Sequence, residues 1–236
     1  MKNDIIKTVR KEFKLNIDKK YLESTKRFFK EPVKSYGVKS AVVADIAKRT
    51  FRDIQSCDKD EIFALCEELF RSGYSEEAFL ASDWAYNLRG DFKPADFKVF
   101  ERWVNKYIDN WAKCDTFCNH TMGAFVERYP VFLNELRKWA GSDNRWVKRA
   151  SAVTLILPAR HGKFLKDIFK IADKLLTDED DMVQKGYGWM LKAASEAHQK
   201  EVFSYVMKNK NKMPRTALRY AIEKMPLALK KQAMLK

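Results

Sequence analysis

Trp146-Val147-Lys148-Arg149-Ala150 and Met182-Val183-Gln184-Lys185-Gly186 are the two stretches whose comparison decides the fold. They stand 36 residues apart, and each places a valine two residues ahead of a basic residue. Each also follows an acidic turn, Ser142-Asp143-Asn144 in one case and Asp178-Glu179-Asp180-Asp181 in the other. Short oxygen-bearing side chains ahead of an apolar-periodic run supply the acceptors that the first N–H groups of a helix lack. A period of this length is that of two helices and their turns, which argues for a helical hairpin repeated along the chain.

Working outward, helical periodicity is expected at approximately 2–13, 18–30, 38–52, 58–71, 75–88, 95–108, 111–128, 131–140, 145–157, 163–176, 181–194, 198–208 and 213–224. Ser75 opens an acidic first turn, and Pro94, Pro130 and Pro214 sit at helix entries. With only 8 Gly and 6 Pro, the chain lacks the turn chemistry of a β architecture. The pattern is similar to HEAT-type repeats, whose hairpins bury their apolar faces only by stacking on neighbours. It predicts an all-α superhelical solenoid of about six hairpins with a concave face, which the excess of 46 Lys and Arg over 32 Asp and Glu makes a basic one suited to DNA. No Ser/Gly/Pro-rich linker interrupts it, so a single domain over 1–236 is expected.

Composition narrows function. The 46 Lys and Arg against 32 Asp and Glu leave +14, and that charge suits a phosphate-rich partner. The cations recur from the first helix to the last rather than in one amphipathic segment, which favours nucleic acid over a membrane surface. No apolar run reaches membrane-spanning or signal-peptide length, so a cytoplasmic protein is expected. Cys57, Cys66, Cys114 and Cys118 form no disulfide framework and read as reduced, buried thiols. Cys114-x-x-x-Cys118-x-His120 lacks a fourth ligand and the closer cysteine spacing of structural zinc, so no metal is expected. Gly-rich phosphate loops, serine elbows and His-Glu-x-x-His are missing from the sequence, which sets aside ordinary kinase and hydrolase chemistry.

Three groups of residues could carry chemistry. Trp111 and Asp115 share a helix face by their spacing, either as an aromatic wall beside a working carboxylate or as a core Trp beside a capping Asp. Arg149 falls at the edge of the stripe Trp146, Ala150, Val153 and Leu157, where its planar fork needs a carboxylate or a phosphate. Gly186-Tyr187-Gly188-Trp189 places two glycines inside a helix at about 1 kcal/mol each, so that either a second helix or a ligand strand approaches closely.

In order and separation, Trp111-x-x-x-Asp115, Ser142-Asp143-Asn144-x-Trp146-x-x-Arg149-Ala150 and Lys185-Gly186-x-Gly188-Trp189 resemble the bacterial DNA alkylation repair glycosylases with HEAT-like repeats, the AlkD family, over nearly the whole chain. The resemblance implies hydrolysis of the N-glycosidic bond of cationic alkylpurines, 3-methyladenine and 7-methylguanine, in duplex DNA, by a monomer without cofactor or metal. It also implies work from the backbone side of the lesion, with the base left largely uncaged. By matching positions Asp115 would be the catalytic carboxylate, Trp111 and Trp189 would hold the deoxyribose, and Arg149 would contact the adjacent backbone. Phe28, Lys39, Arg145, Lys148 and Lys185 are the expected further DNA contacts. The chain departs from the family at Phe28, where Tyr is associated with the position, at Asn110-Trp111-Ala112 in place of Trp-Trp-Asp, and at Ala41 in place of Pro. Two other functions fit the same charges: a non-catalytic module for damaged or branched DNA, and a helical scaffold for acidic protein partners.

Overall fold

The computed structural model describes residues 2–235, and among them every regular element is helical. They group into two compact units, one up to Phe117 and one from Cys118.

The first unit holds α1 (Lys2–Leu15), α2 (Lys19–Lys26), α3 (Ser40–Ile54), α4 (Lys59–Arg71), α5 (Ser75–Asn87), α6 (Asp96–Tyr107) and α7 (Trp111–Thr116). α5 packs on α3, α4 and α7, and α4 packs on α6, so alternate helices of the chain stack in two layers. Between the layers lie Phe63, Phe70, Phe100, Trp103 and Phe117, with ring centroids 5.1 to 5.7 Å apart, mostly tilted or edge-on. Such geometry adds to the area these rings bury. The indole of Trp84 donates to the Ala47 carbonyl at 3.1 Å and fixes α5 against α3.

At the edge of this core Glu67 accepts from Arg102 (2.6 Å), Tyr107 (2.9 Å) and the Trp103 indole (3.3 Å). The Arg102 guanidinium, helped by the Tyr107 and Trp103 donors, holds the Glu67 carboxyl down to about 2. A carboxyl depressed on folding stabilises the native state above its unfolded pKa, and that contribution fades as pH falls through the folded value. Glu67→Gln should therefore flatten the loss of stability between about pH 4.5 and about pH 2, read as the denaturation midpoint against pH. A parallel curve for the variant would refute the linkage.

The second unit holds α8 (Gly123–Arg128), α9 (Leu133–Trp139), α10 (Arg145–Val153), α11 (Ile156–Arg160), α12 (Leu165–Leu175), α13 (Asp181–Ala197), α14 (Gln199–Asn209), α15 (Arg215–Ala221) and α16 (Leu227–Met234). The 36-residue repeat is visible in atomic detail. Asn144 Oδ1 accepts from the Trp146 N–H, as Asp180 Oδ1 accepts from Met182 and Val183, and the equivalent Val147 and Val183 are both buried. α13 packs between α10 and α15, while α9 packs on α12 in the other layer. Tyr205 stacks on Phe169 at 4.7 Å and donates to Asp173 at 2.8 Å, which ties α14 to α12.

The two glycines of α13 answer the question their cost raises. A Cβ on Gly188 would stand 2.7 Å from Tyr220 Cβ and 2.9 Å from the Ala217 carbonyl oxygen, and one on Gly186 would stand 3.2 Å from Arg149 Cγ. Close packing of helices and of an arginine stem, not a passing ligand strand, accounts for both. Gly188→Ala gains about 1 kcal/mol of helix propensity but must push α15 away, so a net destabilisation of about 1–3 kcal/mol is expected. An unchanged or raised melting temperature would contradict that packing argument.

Several expected helices are shorter or interrupted. The stretch expected at 145–157 breaks after Val153, because Pro158 has no N–H to give to the Thr154 carbonyl, and α11 restarts at Ile156. The stretch expected at 111–128 contains a π-helical segment, Phe117–Met122, immediately after α7. α2 stops at Lys26 rather than at 30, and α16 was not anticipated. Cys66, Cys114 and Cys118 are buried, and Cys57 is half-buried; all four are free thiols.

Candidate nucleic-acid interface and active site

α7 begins at the candidate residues themselves. Asn110 caps it by accepting from the Lys113 N–H at 3.0 Å, and the buried Lys113 ammonium bonds the Gly73 carbonyl (2.9 Å) and the Asp109 carboxylate (2.9 Å). A buried ammonium needs such partners. The same Lys113 thereby fixes the first turn of α7 to the turn that precedes α5. Lys113 and Cys114 occupy the buried face, and Trp111, Ala112 and Asp115 share the half-buried one. Trp111 stacks on Phe29 with centroids 5.2 Å apart, and its indole N–H donates to the Phe28 carbonyl at 3.2 Å. Phe28 itself is 70% exposed, an isolated large apolar side chain at the rim of this aromatic group.

The segment that carries Phe28 and Phe29 continues into a loop anchored by a buried acid. Glu76, 3% exposed, accepts from the backbone N–H groups of Tyr36 (3.1 Å), Gly37 (2.8 Å) and Val38 (3.1 Å) and from the Ser35 hydroxyl (2.7 Å). Its neighbour Glu77 accepts from Arg10 at 3.1 Å and from the Tyr36 hydroxyl at 2.7 Å. Lys34 reaches the Ser72 carbonyl at 2.9 Å and lies over the Tyr74 ring at 4.3 Å. The Ser72–Gly73 turn therefore receives both the loop and α7.

In the second unit Arg149 is 5% exposed, lies against Gly186 and donates to the Met182 carbonyl. It is more buried than the edge position expected from helical periodicity. Trp189, on α13, is half-buried. Arg145 pairs with Asp180 at 2.8 Å and covers the Trp146 ring at 4.9 Å. Lys148 pairs with Asp178, and Lys185 pairs with Asp181 at 3.2 Å. In the first unit Lys39 pairs with Asp18 at 3.1 Å. These four cations thus hold carboxylates, Lys39 in the most exposed pair and Lys148 in the most buried one.

The sequence reading missed Phe29, Lys113 and Glu76. Nothing in the stretch from Trp111 to Asp115 gave a sign that Lys113 turns inward, and Glu76 read only as an acid in a helix first turn. Among the described residues no group of three His, Cys, Asp or Glu side chains could hold a metal ion, and no helix is long and apolar enough to cross a membrane.

Two compact units of packed helices, one with half-buried Trp111 and Asp115 on a face of α7 and the other with half-buried Trp189 on α13, define an all-α helical-repeat protein. The model of the DNA alkylation repair enzyme family matches residues 9–225, and the chain belongs to that family. It is similar to a solved structure described as a predicted DNA alkylation repair enzyme from Enterococcus faecalis, with a TM-score of 0.78 over 89% of this chain and 97% of that one at 16% identity. No curated protein matches the chain significantly.

Proposed function

We propose that this protein is a DNA glycosylase that removes cationic alkylated purines, 3-methyladenine and 7-methylguanine, from duplex DNA, acting as one repeat domain over 1–236 and as a monomer. The observation that carries this reading is Asp115, half-buried on the same face of α7 as Trp111, in a chain of the alkylation repair family. An N3- or N7-alkylated purine bears positive charge and departs as a neutral base, so the leaving group needs no proton. Positive charge gathers instead on the deoxyribose as the C1′–N bond breaks. An ionised Asp115 stabilises that oxocarbenium-like state and orients the water whose oxygen attacks C1′. Trp111 and Trp189 hold the sugar and exclude bulk water, which strengthens the field of the carboxylate. Arg149 contacts the neighbouring backbone, with Phe28 on the lesion side.

Lys39, Arg145, Lys148 and Lys185 act as positioning contacts to phosphate, with their acid partners tempering the net attraction. The burial of Arg149 and its bond to Met182 favour one qualification: its first task is to join α10 to α13, and only its outer edge is offered to DNA. The test is incubation of the protein with methylated duplex DNA and identification of free bases by mass spectrometry. Release of methylpurines is expected. Tight binding with no base released would instead select the non-catalytic DNA-binding module.

A further inference from the structure

The net charge of this chain is not spread along it. Residues 31–198 contain 26 basic and 26 acidic side chains and are neutral, whereas residues 1–30 contain 10 against 4 and residues 199–236 contain 10 against 2. In the second unit this imbalance has a structural counterpart. Arg137, Arg145, Lys148, Arg160, Lys185 and Lys192 all reach carboxylates. Lys208, Lys212, Arg215, Arg219 and Lys224 are exposed, and among the described residues none of them makes an ion pair.

These five belong to one end of the hairpin stack. Lys208 is in the last turn of α14, Lys212 lies in the short connection to α15, and Lys224 follows α15. Arg215 and Arg219 stand one turn apart on α15. That helix turns Ala217 and Tyr220 toward Gly188 of α13 and buries Leu218 and Ala221, which leaves the two arginines on its solvent side.

We infer that the exposed cations of the α14–α15 pair, centred on Lys212, Arg215 and Arg219, are a second, sequence-independent binding surface for duplex DNA phosphates that adds salt-sensitive attraction to the second unit. The inference rests on the proposed role in DNA repair, since it takes duplex DNA as the partner. Its logic is a comparison of states. A cation already facing a carboxylate releases few counterions from DNA, because the phosphate replaces one anion by another. An unpaired exposed cation releases a condensed counterion for each phosphate it meets, and that release is the source of salt-dependent affinity. Guanidinium groups one helical turn apart also suit adjacent phosphate oxygens through their planar forks.

The test is a salt titration of undamaged duplex binding by the full chain. Each phosphate contact contributes about 0.9 to the slope of log affinity against log salt, so the triple variant Lys212→Gln, Arg215→Gln, Arg219→Gln should flatten the slope by about 2.7. Between about 50 and 200 mM salt this corresponds to about a 40-fold smaller loss of affinity. The charge-keeping set Lys212→Arg, Arg215→Lys, Arg219→Lys should retain the wild-type slope, which separates charge from damage to the fold. The charge-matched control Arg49→Gln, Lys138→Gln, Arg160→Gln removes three cations that the structure pairs with acids and should change the slope much less. An unchanged slope in the first variant, or an equal change in the control, overturns the inference. So does tighter binding to phosphatidylglycerol vesicles than to DNA, which would assign the patch to a membrane surface. Base release by the wild-type protein is scored separately. Release with an unaltered variant slope sinks only this inference, and a flattened slope with no release sinks only the glycosylase reading.

Discussion

Asp115→Asn should abolish most methylpurine release while leaving DNA binding in place. The amide keeps the size and the hydrogen-bonding reach of the carboxylate but loses its charge, so only the interaction that grows with positive charge on the sugar is removed. Loss of a preorganised electrostatic partner of this kind costs about 3–4 kcal/mol, which is about 100- to 1,000-fold in the single-turnover rate. Binding to undamaged duplex should hold or tighten slightly, because a negative charge facing phosphates has gone. The lysine-bearing first turn of α7 and the Trp111–Phe29 stack are untouched by the change, so the melting temperature serves as the control. Wild-type rates in this variant would remove Asp115 from the chemistry.

Glu76→Ala should be the most damaging single change to stability. Four donors converge on this buried carboxylate, three of them backbone N–H groups, of which only that of Gly37 has a second acceptor in the loop, the Ser35 hydroxyl at 3.0 Å. A buried donor left without a partner costs about 1–3 kcal/mol, and partial hydration of the loop limits the total to about 3–5 kcal/mol. Set against a typical stability of about 5–15 kcal/mol, that is a large share. Urea denaturation should show a lowered midpoint, and trypsin should cut the native protein at Lys34 or Lys39 faster than in wild type. Glu76→Gln, which keeps one acceptor oxygen, should fall between the two. A midpoint within error of wild type would mean that the loop is held by something else.

Much of this arrangement was legible in the amino-acid sequence because it depends on local chemistry. The two acidic turns do precede helices, with Asn144 rather than the expected Asp143 capping α10 and Asp180 capping α13, since a short side-chain oxygen reaches the following N–H groups whatever the tertiary context. The equivalence of Val147 and Val183 followed from periodicity alone. Contacts distant in sequence were not legible. Lys113 joins Gly73 across 40 residues, and Glu76 gathers N–H groups 38 to 40 positions earlier, so nothing in either neighbourhood announces the partner. The cations expected at phosphate were identified by charge, but their acid partners lie one turn earlier for Lys185, 21 residues earlier for Lys39 and in the next repeat for Arg145 and Lys148, and only coordinates show the pairing. Proline chemistry was used at helix entries and overlooked at Pro158, where the same missing N–H divides one expected helix into two.

The distribution of sulfur offers a practical handle. Burial pushes the Cys66 thiol up, and Cys114 and Cys118 are shielded in the same way from solvent, whereas Cys57 remains partly accessible at the end of α3. The folded wild-type chain should accept one maleimide, at Cys57, with the remaining three reacting only on unfolding. A fluorophore or spin label can therefore be installed without engineering, and mass spectrometry of the adduct counts unfolding events directly.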